Sequence, residues 1–474
     1  MAAEEVVLSA GDTAWLLVSS ALVLLMTPGL AFFYGGLNRA KGVLNMMMMS
    51  FSSIALISIL WLFYGFTVAF GQDQPIGETP GFFGDLTQYL GTKDLSGEFA
   101  FPPFPATPIP TYVIMAFQMM FAIITVALIS GAISDRAKFL GWLLFATGWF
   151  TLAYLPIAHM VWGGGFIGAK LGALDFAGGS AVHINAGAAA LALAIILGRR
   201  VGWPKEPFRP HNVPFVALGA GLLWFGWFGF NAGSELTADG ITALAFINTQ
   251  LATAGAVLGW IFVEWAKNGR PTLVGASSGA VAGLVAITPA CAYIMPWSSV
   301  LLGLVAGAVC ALAVSLKYRF RVDDSLDVVG VHFVGGWIGC LWIGFFATTG
   351  ADAVGSNAAD AEPASYVLRE GLFYGGGVTQ LGAQMAGAAI VSVWSFVIAL
   401  AIGLVLKSVG LFRVKAEAEL EGIDISEHKE TAYDFHTGTG GGGGGAFAAA
   451  GIGTGSSSTP ATAPAPTPAH SANV

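Results

Sequence analysis

Two stretches of this chain share one pattern: residues 175–183 read DFAGGSAVH and residues 324–332 read DSLDVVGVH. Each begins with Asp, ends with Val and His, and is followed four residues later by Gly. Both lead into strongly apolar sequence. Because an ionisable group inside an apolar span is costly, His183 and His332 are candidates for a functional role. Because the two motifs share the same spacing, one explanation should account for both histidines.

The composition indicates a polytopic membrane protein. The chain has 474 residues, of which 55% are hydrophobic and only 10% are charged, whereas soluble domains carry roughly a quarter charged residues. The 65 glycines suit close helix contacts in lipid. A net charge of -8 argues against nucleic-acid binding.

The three cysteines lie in or beside apolar stretches, so we expect inert core residues rather than disulfides or a thiolate metal site. The N-terminus lacks a basic region, so the first apolar stretch is expected to be a retained span.

Eleven apolar stretches are long enough to span a bilayer, which takes roughly 17–25 residues. None alternates as barrel strands would, so the prediction is eleven transmembrane helices. The eighth and ninth are separated mainly by Pro289 and Pro296. The predicted ranges are 12–36, 42–70, 109–133, 138–161, 176–198, 213–231, 241–265, 271–290, 296–316, 328–348 and 376–407.

The connections between these spans alternate in charge. One set is rich in Lys and Arg and includes the segment after the last span, whereas the other set has only Lys93, Lys170 and Arg369 among many carboxylates. The positive-inside rule then places the N-terminus outside and the C-terminus in the cytoplasm. The charge of every connection agrees with a count of eleven spans. The membrane is expected to be the plasma membrane.

Spans one to five and six to ten therefore have opposite orientations. The histidine motifs open spans five and ten, which predicts an inverted repeat of five helices, plus a long eleventh helix, with a substrate path between the halves. If Asp175 and Asp324 start their helices, eight residues of helix carry His183 and His332 about 12 Å inward from opposite faces. In a hydrocarbon core of roughly 30 Å, the two rings are expected to meet near the middle.

Other interpretations of these residues stay open. Each histidine alone could be a core residue bonded to a helix carbonyl. A metal site would need further ligands, and the remaining histidines lie at span ends, in loops or in the tail, so we expect no metal and no cofactor. Asp175 most simply caps the start of span five, although a carboxylate near the outer mouth could also stabilise a cation.

Aromatic residues cluster at the outer ends of several spans. Most of the aromatic residues must belong to the belt at the membrane–water interface or to the packed core. The functional interpretation is an aromatic cage, whose ring faces attract a small cation by about 0.5–2 kcal/mol, with a Ser hydroxyl as acceptor. The residues considered are Phe117 and Phe121 on span three, Trp162 after span four, and Trp227, Phe228, Phe230 and Ser234 at the end of span six.

These motifs carry a resemblance to the ammonium transporter (Amt/Mep/Rh) family over roughly residues 10–435. Beside the two histidine stretches, the similar segments are GWFGFNAGS at 226–234, AHMVWGGG at 158–165 and YGG at 34–36. The tail sequence EGID at 421–424, with Tyr433, resembles the family's regulatory C-terminus.

The resemblance implies an eleven-helix homotrimer with one pore per subunit, and a transporter rather than an enzyme. It assigns ammonium recruitment to Phe121, Trp162 and Ser234, and a phenyl gate to Phe121 and Phe230. It also identifies His183 and His332 as twin pore histidines and Asp175 as the motif carboxylate near the mouth. The partners it implies are ammonium or ammonia, membrane lipid, and a PII-type signal protein at the cytoplasmic tail.

The expected organisation is a membrane domain over residues 1–407, with repeats at about 12–198 and 213–348. A cytoplasmic regulatory segment follows at 408–436, and residues 437–474 form a disordered Gly/Ala/Pro-rich tail. The expected function is ammonium uptake as a nitrogen source. The alternatives are an ammonium sensor that signals through the tail, a CO2 pore of the Rh type, and an intramembrane metalloenzyme.

Overall fold

The computed structural model describes residues 7–95, 108–348 and 369–433 of the chain. The predicted disordered tail at 437–474 lies outside these described residues. Ten helices within them have the length and composition to cross a membrane, and the fifteen-residue helix Leu273–Ile287 lies between two of them. The prediction of an all-α protein with eleven membrane helices is confirmed.

The helices are numbered here in chain order. They are α1 (Ala10–Leu37), α2 (Val43–Phe70), α3 (Thr111–Ile133), α4 (Phe139–Leu171), α5 (Gly179–Leu197), α6 (Val213–Glu235), α7 (Gly240–Asn268), α8 (Leu273–Ile287), α9 (Pro296–Phe320), α10 (Val329–Phe346) and α11 (Thr379–Ser408). Two short helices follow in the tail, α12 (Ala416–Glu421) and α13 (Ile423–His428).

Side-chain caps fix several of the helix starts. The hydroxyls of Ser9 and Thr272, the amide oxygen of Asn212 and the carboxylate of Asp239 each accept a backbone N–H from the first turn of the following helix. These residue types satisfy N–H groups that have no partner inside the helix. Pro296 opens α9 at a position where its missing N–H costs nothing.

The boundary between α8 and α9 follows the prolines, as expected. The chain leaves helical structure after Ile287 and resumes it at Pro296. Ala290, Cys291 and Ile294 in this connection are completely buried. Irregular backbone at membrane depth is tolerated where protein covers it, so the short α8 is compatible with a spanning segment.

Glycines allow the first helices of the two halves to approach closely. An added Cβ at Gly219 of α6 would lie 2.2 Å from the backbone nitrogen of Phe33 in α1. An added Cβ at Gly36 of α1 would lie 2.7 Å from the backbone nitrogen of Val216 in α6. Helices in lipid have no hydrophobic driving force toward each other, so they associate through van der Waals packing, which small residues make possible.

The basic connections lie together on one end of the bundle, which we call the basic face. It is held by ion pairs between Arg39 and Asp135, and between Asp323 and both Arg136 and Arg200. These pairs join the connections after α1, α3, α5 and α9. Their meeting on one side agrees with the charge alternation of the sequence.

Candidate functional site

The two motif histidines meet inside the protein. His183 is 1% exposed and His332 is 3% exposed. Their Nδ1 atoms lie 3.3 Å apart, and the ring planes are inclined by 28° with centroids 5.3 Å apart. At this distance one Nδ1 donates its proton and the other accepts it, so at least one ring is neutral.

Two glycines make this meeting sterically feasible. A Cβ at Gly187 of α5 would lie 2.6 Å from the backbone nitrogen of Phe333 in α10. A Cβ at Gly336 of α10 would lie 2.8 Å from the carbonyl oxygen of Gly179 in α5. Each glycine is four residues after its histidine, so both lie one helical turn beyond it. The repeated glycines of the two motifs are therefore the places where the histidine helices touch.

Buried carboxylates cap both histidine helices. Asp175 accepts backbone N–H groups from Gly178, Gly179, Ser180 and Ala181 and the hydroxyl of Ser180, at 2.6–3.0 Å. The structure therefore gives Asp175 the capping geometry that its place in the sequence predicts. Such a cap stabilises the start of a helix by about 0.5–2 kcal/mol in ordinary cases.

Asp324 caps α10 in the matching way. Its two oxygens accept the backbone N–H groups of Val328 at 3.1 Å and Val329 at 2.8 Å. The repeat thus extends from the sequence pattern to the hydrogen bonds, although Asp324 accepts fewer of them than Asp175.

The helices begin later than the sequence pattern suggests, which corrects the expectation that Asp175 and Asp324 are themselves helical starts. α5 begins at Gly179 and α10 at Val329, each with one π-helical turn that contains the histidine. Gly178 has a φ of 113° and Asp327 a φ of 64°, so the backbone before each helix is left-handed rather than helical. The eight intervening residues therefore rise less than 12 Å. The sequence carried no signal for the π turns, which occur often at functional sites.

A small apolar cavity surrounds the histidine pair. It leaves about 10 Å³ for the centre of a water-sized molecule, which is the scale of one water. Apart from the two imidazoles, its walls are hydrophobic. The lining residues are Met26, Leu30, Phe33, Ile124, Leu128, Val182, His183, Leu223, Trp227, Phe230, Val281 and His332.

Trp227 lines this cavity beside the histidines, whereas its place in the sequence suggested only a candidate for the outer aromatic cage. Its ring stacks on His183 with centroids 5.3 Å apart, and its indole N–H donates to the Thr288 hydroxyl at 2.8 Å. The spacing offered a signal, because Trp227 precedes Phe230 by three residues and therefore shares its helix face.

Two stacked phenyl rings lie beside the cavity, and one of them, Phe230, forms part of its wall. Phe121 of α3 and Phe230 of α6 lie with centroids 4.1 Å apart and planes inclined by 26°. Both are at most 1% exposed, and Phe230 also stacks on His183 at 6.1 Å. Phe117 contacts the edge of this pair, with its centroid 4.9 Å from that of Phe121. The structure brings together the two residues predicted as a gate.

Trp162 contacts one ring of the phenyl pair, that of Phe121. Its ring meets Phe121 edge-on at 6.1 Å, and its indole N–H donates to the carbonyl oxygen of Asp175 at 2.8 Å. Ser234 is partly exposed at the end of α6, where its hydroxyl donates to the carbonyl oxygen of Phe230 at 2.8 Å. Both oxygen lone pairs of Ser234 remain acceptors. Phe228, by contrast, stacks on Phe246 at 4.1 Å and is no part of this group.

The other described histidines have separate partners. His159 contacts the carbonyl oxygen of Ala69 and the carboxylate of Asp73, each at 2.9 Å. His211 bonds Tyr433 of the tail, and His428 bonds Asn45. Across residues 7–95, 108–348 and 369–433, no group of three His, Cys, Asp or Glu side chains is placed to hold a metal ion.

The C-terminal segment docks on the basic face. The carboxylate of Asp424 accepts the backbone N–H groups of Leu44 and Asn45 in the first turn of α2, at 3.0 and 2.8 Å. Burial raises the pKa of Asp424 to about 6, although these two hydrogen bonds act in the opposite direction. Glu419 accepts the N–H of Val201 and pairs with Arg413. The tail therefore contacts the start of α2 and the connection between α5 and α6.

Comparisons with known proteins agree with this architecture. The model of the Ammonium Transporter Family matches residues 14–433. The chain is 53% identical to an ammonium transporter of Mycobacterium bovis over 445 residues, which is 90% of each chain. It is 45% identical to an ammonium transporter of Bacillus subtilis, covering 89% of this chain and 98% of that relative.

Solved structures show the same fold. The crystal structure of Candida albicans Mep2 matches with a TM-score of 0.77 and 33% identity, over 86% of this chain and 87% of Mep2. A structure described as a sensor Amt protein matches with a TM-score of 0.77 and 28% identity, over 88% of this chain and 98% of that protein.

Proposed function

We propose, from the premise that this chain belongs to the ammonium transporter family, that it binds NH4+ at an outer aromatic site and conducts NH3 past the histidine pair. One observation carries the proposal: two imidazoles in contact, at 3.3 Å, are the polar groups of an otherwise apolar cavity of water-like size. The cell would use this uptake to acquire nitrogen.

Selectivity follows from the cost of a permanent charge. A monovalent ion at membrane depth costs several kcal/mol or more unless protein groups replace its water, and the polar groups of this cavity are only two imidazoles. K+ and Na+ cannot lose their charge, whereas NH4+ becomes neutral by releasing a proton. The imidazoles then donate to and accept from ammonia, and their shared hydrogen bond offers a route for the proton.

Recruitment is assigned to Phe121, Trp162 and Ser234. The faces of the two aromatic rings attract a cation by about 0.5–2 kcal/mol, and the Ser234 hydroxyl oxygen accepts an N–H of ammonium. K+ has no N–H to donate, so the hydroxyl adds a preference that depends on hydrogen bonding. The hydrogen bond from Trp162 to the Asp175 carbonyl oxygen holds the indole at this place, so the cap of α5 also supports the recruitment site.

Phe121 and Phe230 are assigned as the gate. Their rings are in van der Waals contact at 4.1 Å, so the passage between them must open by ring rotation. Such side-chain motion takes far less time than a helix movement. Between openings, the rings keep bulk water from the cavity, which preserves its low polarity.

The membrane setting is part of the proposal. We place the protein in the plasma membrane as a homotrimer, with the N-terminus outside and the basic face in the cytoplasm, as the positive-inside rule indicates. Exposed apolar side chains along the helices, such as Phe63, Phe225 and Phe262 at 58–72% exposure, suit contact with lipid or a second subunit. The docked tail on the basic face would be the contact for a PII-type signal protein.

The test is the double variant His183→Leu, His332→Leu, reconstituted in liposomes and recorded on a solid-supported membrane during ammonium pulses. We expect the selective ammonium current to be lost, because leucine can neither bond ammonia nor carry its proton. His428→Leu, which removes a histidine on the basic face, is the matched control and should retain the current. A double variant with unaltered current and unaltered discrimination against K+ would contradict the proposed mechanism.

A sensor role is the second candidate, because the tail contacts the start of α2 through Asp424 and the connection between α5 and α6 through Glu419 and Tyr433. Deleting the chain after Ser408 separates the two roles. Retained uptake would assign the membrane domain to transport, with the tail as a regulator. Loss of a nitrogen-dependent cellular response with normal uptake would favour signalling.

A further inference from the structure

A second pocket lies on the basic face, away from the histidine cavity. Its volume is about 390 Å³, and it opens between the end of α5 and the connection from α9 to α10. Arg199 and Arg321 contribute its cationic side chains. The Nε of Arg199 donates to the backbone carbonyl oxygen of Arg321 at 3.2 Å, which holds the two residues together.

The charge of this pocket is uncompensated. Asp323, the carboxylate in its wall, already accepts hydrogen bonds from Arg136 at 2.7 Å and from Arg200 at 2.8 Å. Within the described part of the chain, neither Arg199 nor Arg321 forms an ion pair. The pocket therefore presents two guanidinium groups without a carboxylate to neutralise them. Paired guanidiniums are well suited to a phosphate, which they bind through parallel N–H donors.

Exposed apolar side chains lie on the two helices that lead to the pocket. Ile195 of α5 is 49% exposed, and Leu316 and Phe320 in the last turns of α9 are 43% and 68% exposed. Large apolar side chains are expected to face lipid at this level, where two membrane helices end. A free anion in water would gain nothing from these neighbours, whereas a phospholipid would place its acyl chains against them and its phosphate between the arginines.

We propose that this pocket binds the phosphate of an anionic phospholipid. The lipid would join the end of α5, the helix of His183, to the segment that leads into α10, the helix of His332. Basic pockets between membrane helices recognise lipid headgroups through the same combination of cations and apolar surface. Binding at this place would thus stabilise the relative position of the two histidine helices.

The test is native mass spectrometry of the full-length protein in detergent, titrated with phosphatidylglycerol or phosphatidylcholine. The variant is Arg199→Gln, Arg321→Gln. We expect the first phosphatidylglycerol to bind the variant about thirtyfold more weakly, since each basic residue near an anionic headgroup contributes about fivefold. Phosphatidylcholine binding should change little.

Two controls identify the cause of any change. Lys267→Gln, Arg270→Gln removes two exposed cations at the connection from α7 to α8 and should bind phosphatidylglycerol like the wild type. Arg199→Lys, Arg321→Lys keeps the charge but loses the parallel N–H donors, so its affinity should lie between those of the wild type and the glutamine variant. Equal losses in the Lys267/Arg270 control, or a lysine variant as weak as the glutamine variant, would overturn the proposal.

A competition arm distinguishes the source of the phosphate. Inorganic phosphate at millimolar concentration should not displace phosphatidylglycerol, because it lacks the acyl chains that contact Ile195 and Phe320. Displacement by inorganic phosphate would overturn the assignment to lipid, as would equal binding of the two lipids by the wild type.

Discussion

Replacing Asp175 by Asn keeps the size of the side chain but removes its charge and one acceptor oxygen. In the structure, Oδ1 accepts the N–H groups of Gly178 and Gly179, and Oδ2 accepts from the N–H and hydroxyl of Ser180 and from the N–H of Ala181. Whichever way the amide is turned, its NH2 group faces at least two donors. Each buried donor left without an acceptor costs about 1–3 kcal/mol. The expected loss is therefore about 2–6 kcal/mol.

Asp324→Asn is the matched control. Each oxygen of Asp324 accepts a single backbone N–H, from Val328 or Val329, so one orphaned donor predicts a loss of about 1–3 kcal/mol. The free energy of unfolding of both variants would be measured by titration with sodium dodecyl sulfate in mixed micelles, with the ammonium current recorded in parallel. Asp175→Asn should lower both quantities more than Asp324→Asn. Equal stability of the two variants would refute the reasoning from hydrogen-bond number.

Three further predictions concern the recruitment site, the helix crossing and the basic face. Trp162→Ala should raise the half-saturating ammonium concentration about tenfold while changing the maximal flux less. The control Phe228→Ala should change neither quantity. An equal effect of Trp162→Ala on flux and on half-saturation would count against a recruitment role. Gly187→Ala should destabilise the protein and reduce the current, because its Cβ meets the backbone of α10 at 2.6 Å, whereas Gly221→Ala, with open space around it, should be neutral or stabilising. Similar unfolding of the two glycine variants would contradict the crossing. Asp323→Ala leaves the buried Arg136 without a carboxylate and leaves Arg200 only its 4.0 Å ion pair with Asp135. The free energy of unfolding should fall by about 3–5 kcal/mol, and unchanged stability would contradict this account.

The same carboxylate predicts a dependence on acid. Burial alone would raise the pKa of Asp323, but hydrogen bonds from Arg200 and the charge of Arg136 outweigh it and hold the pKa below its usual range. Because the folded pKa lies below the unfolded one, the stabilisation is complete above about pH 4 and is lost as the pH falls further. Unfolding titrations at several pH values would show a decline below that point in the wild type, and a smaller decline in Asp323→Ala.

The amino-acid sequence by itself determined the number of helices, the connections that share a face and the two residues at the centre of the site. These features are local or compositional. A run of apolar residues reports the cost of exposing it to water. Pro289 cannot continue α8, and Pro296 suits the first position of α9. The Asp and His residues in matching frames are visible in the sequence without any contact between them.

The tertiary structure decided how those elements meet. Trp227 and Phe228 are neighbours in the chain, yet one stacks on His183 and the other on Phe246. The lateral packing of helices assigns these places, through close approaches such as that of Gly187 to Phe333. Sequence periodicity reports which residues share a face of one helix, but which helix covers that face depends on fits between residues more than a hundred positions apart. The contact between the two imidazoles is such a fit, because it exists only when α5 and α10 cross at their glycines.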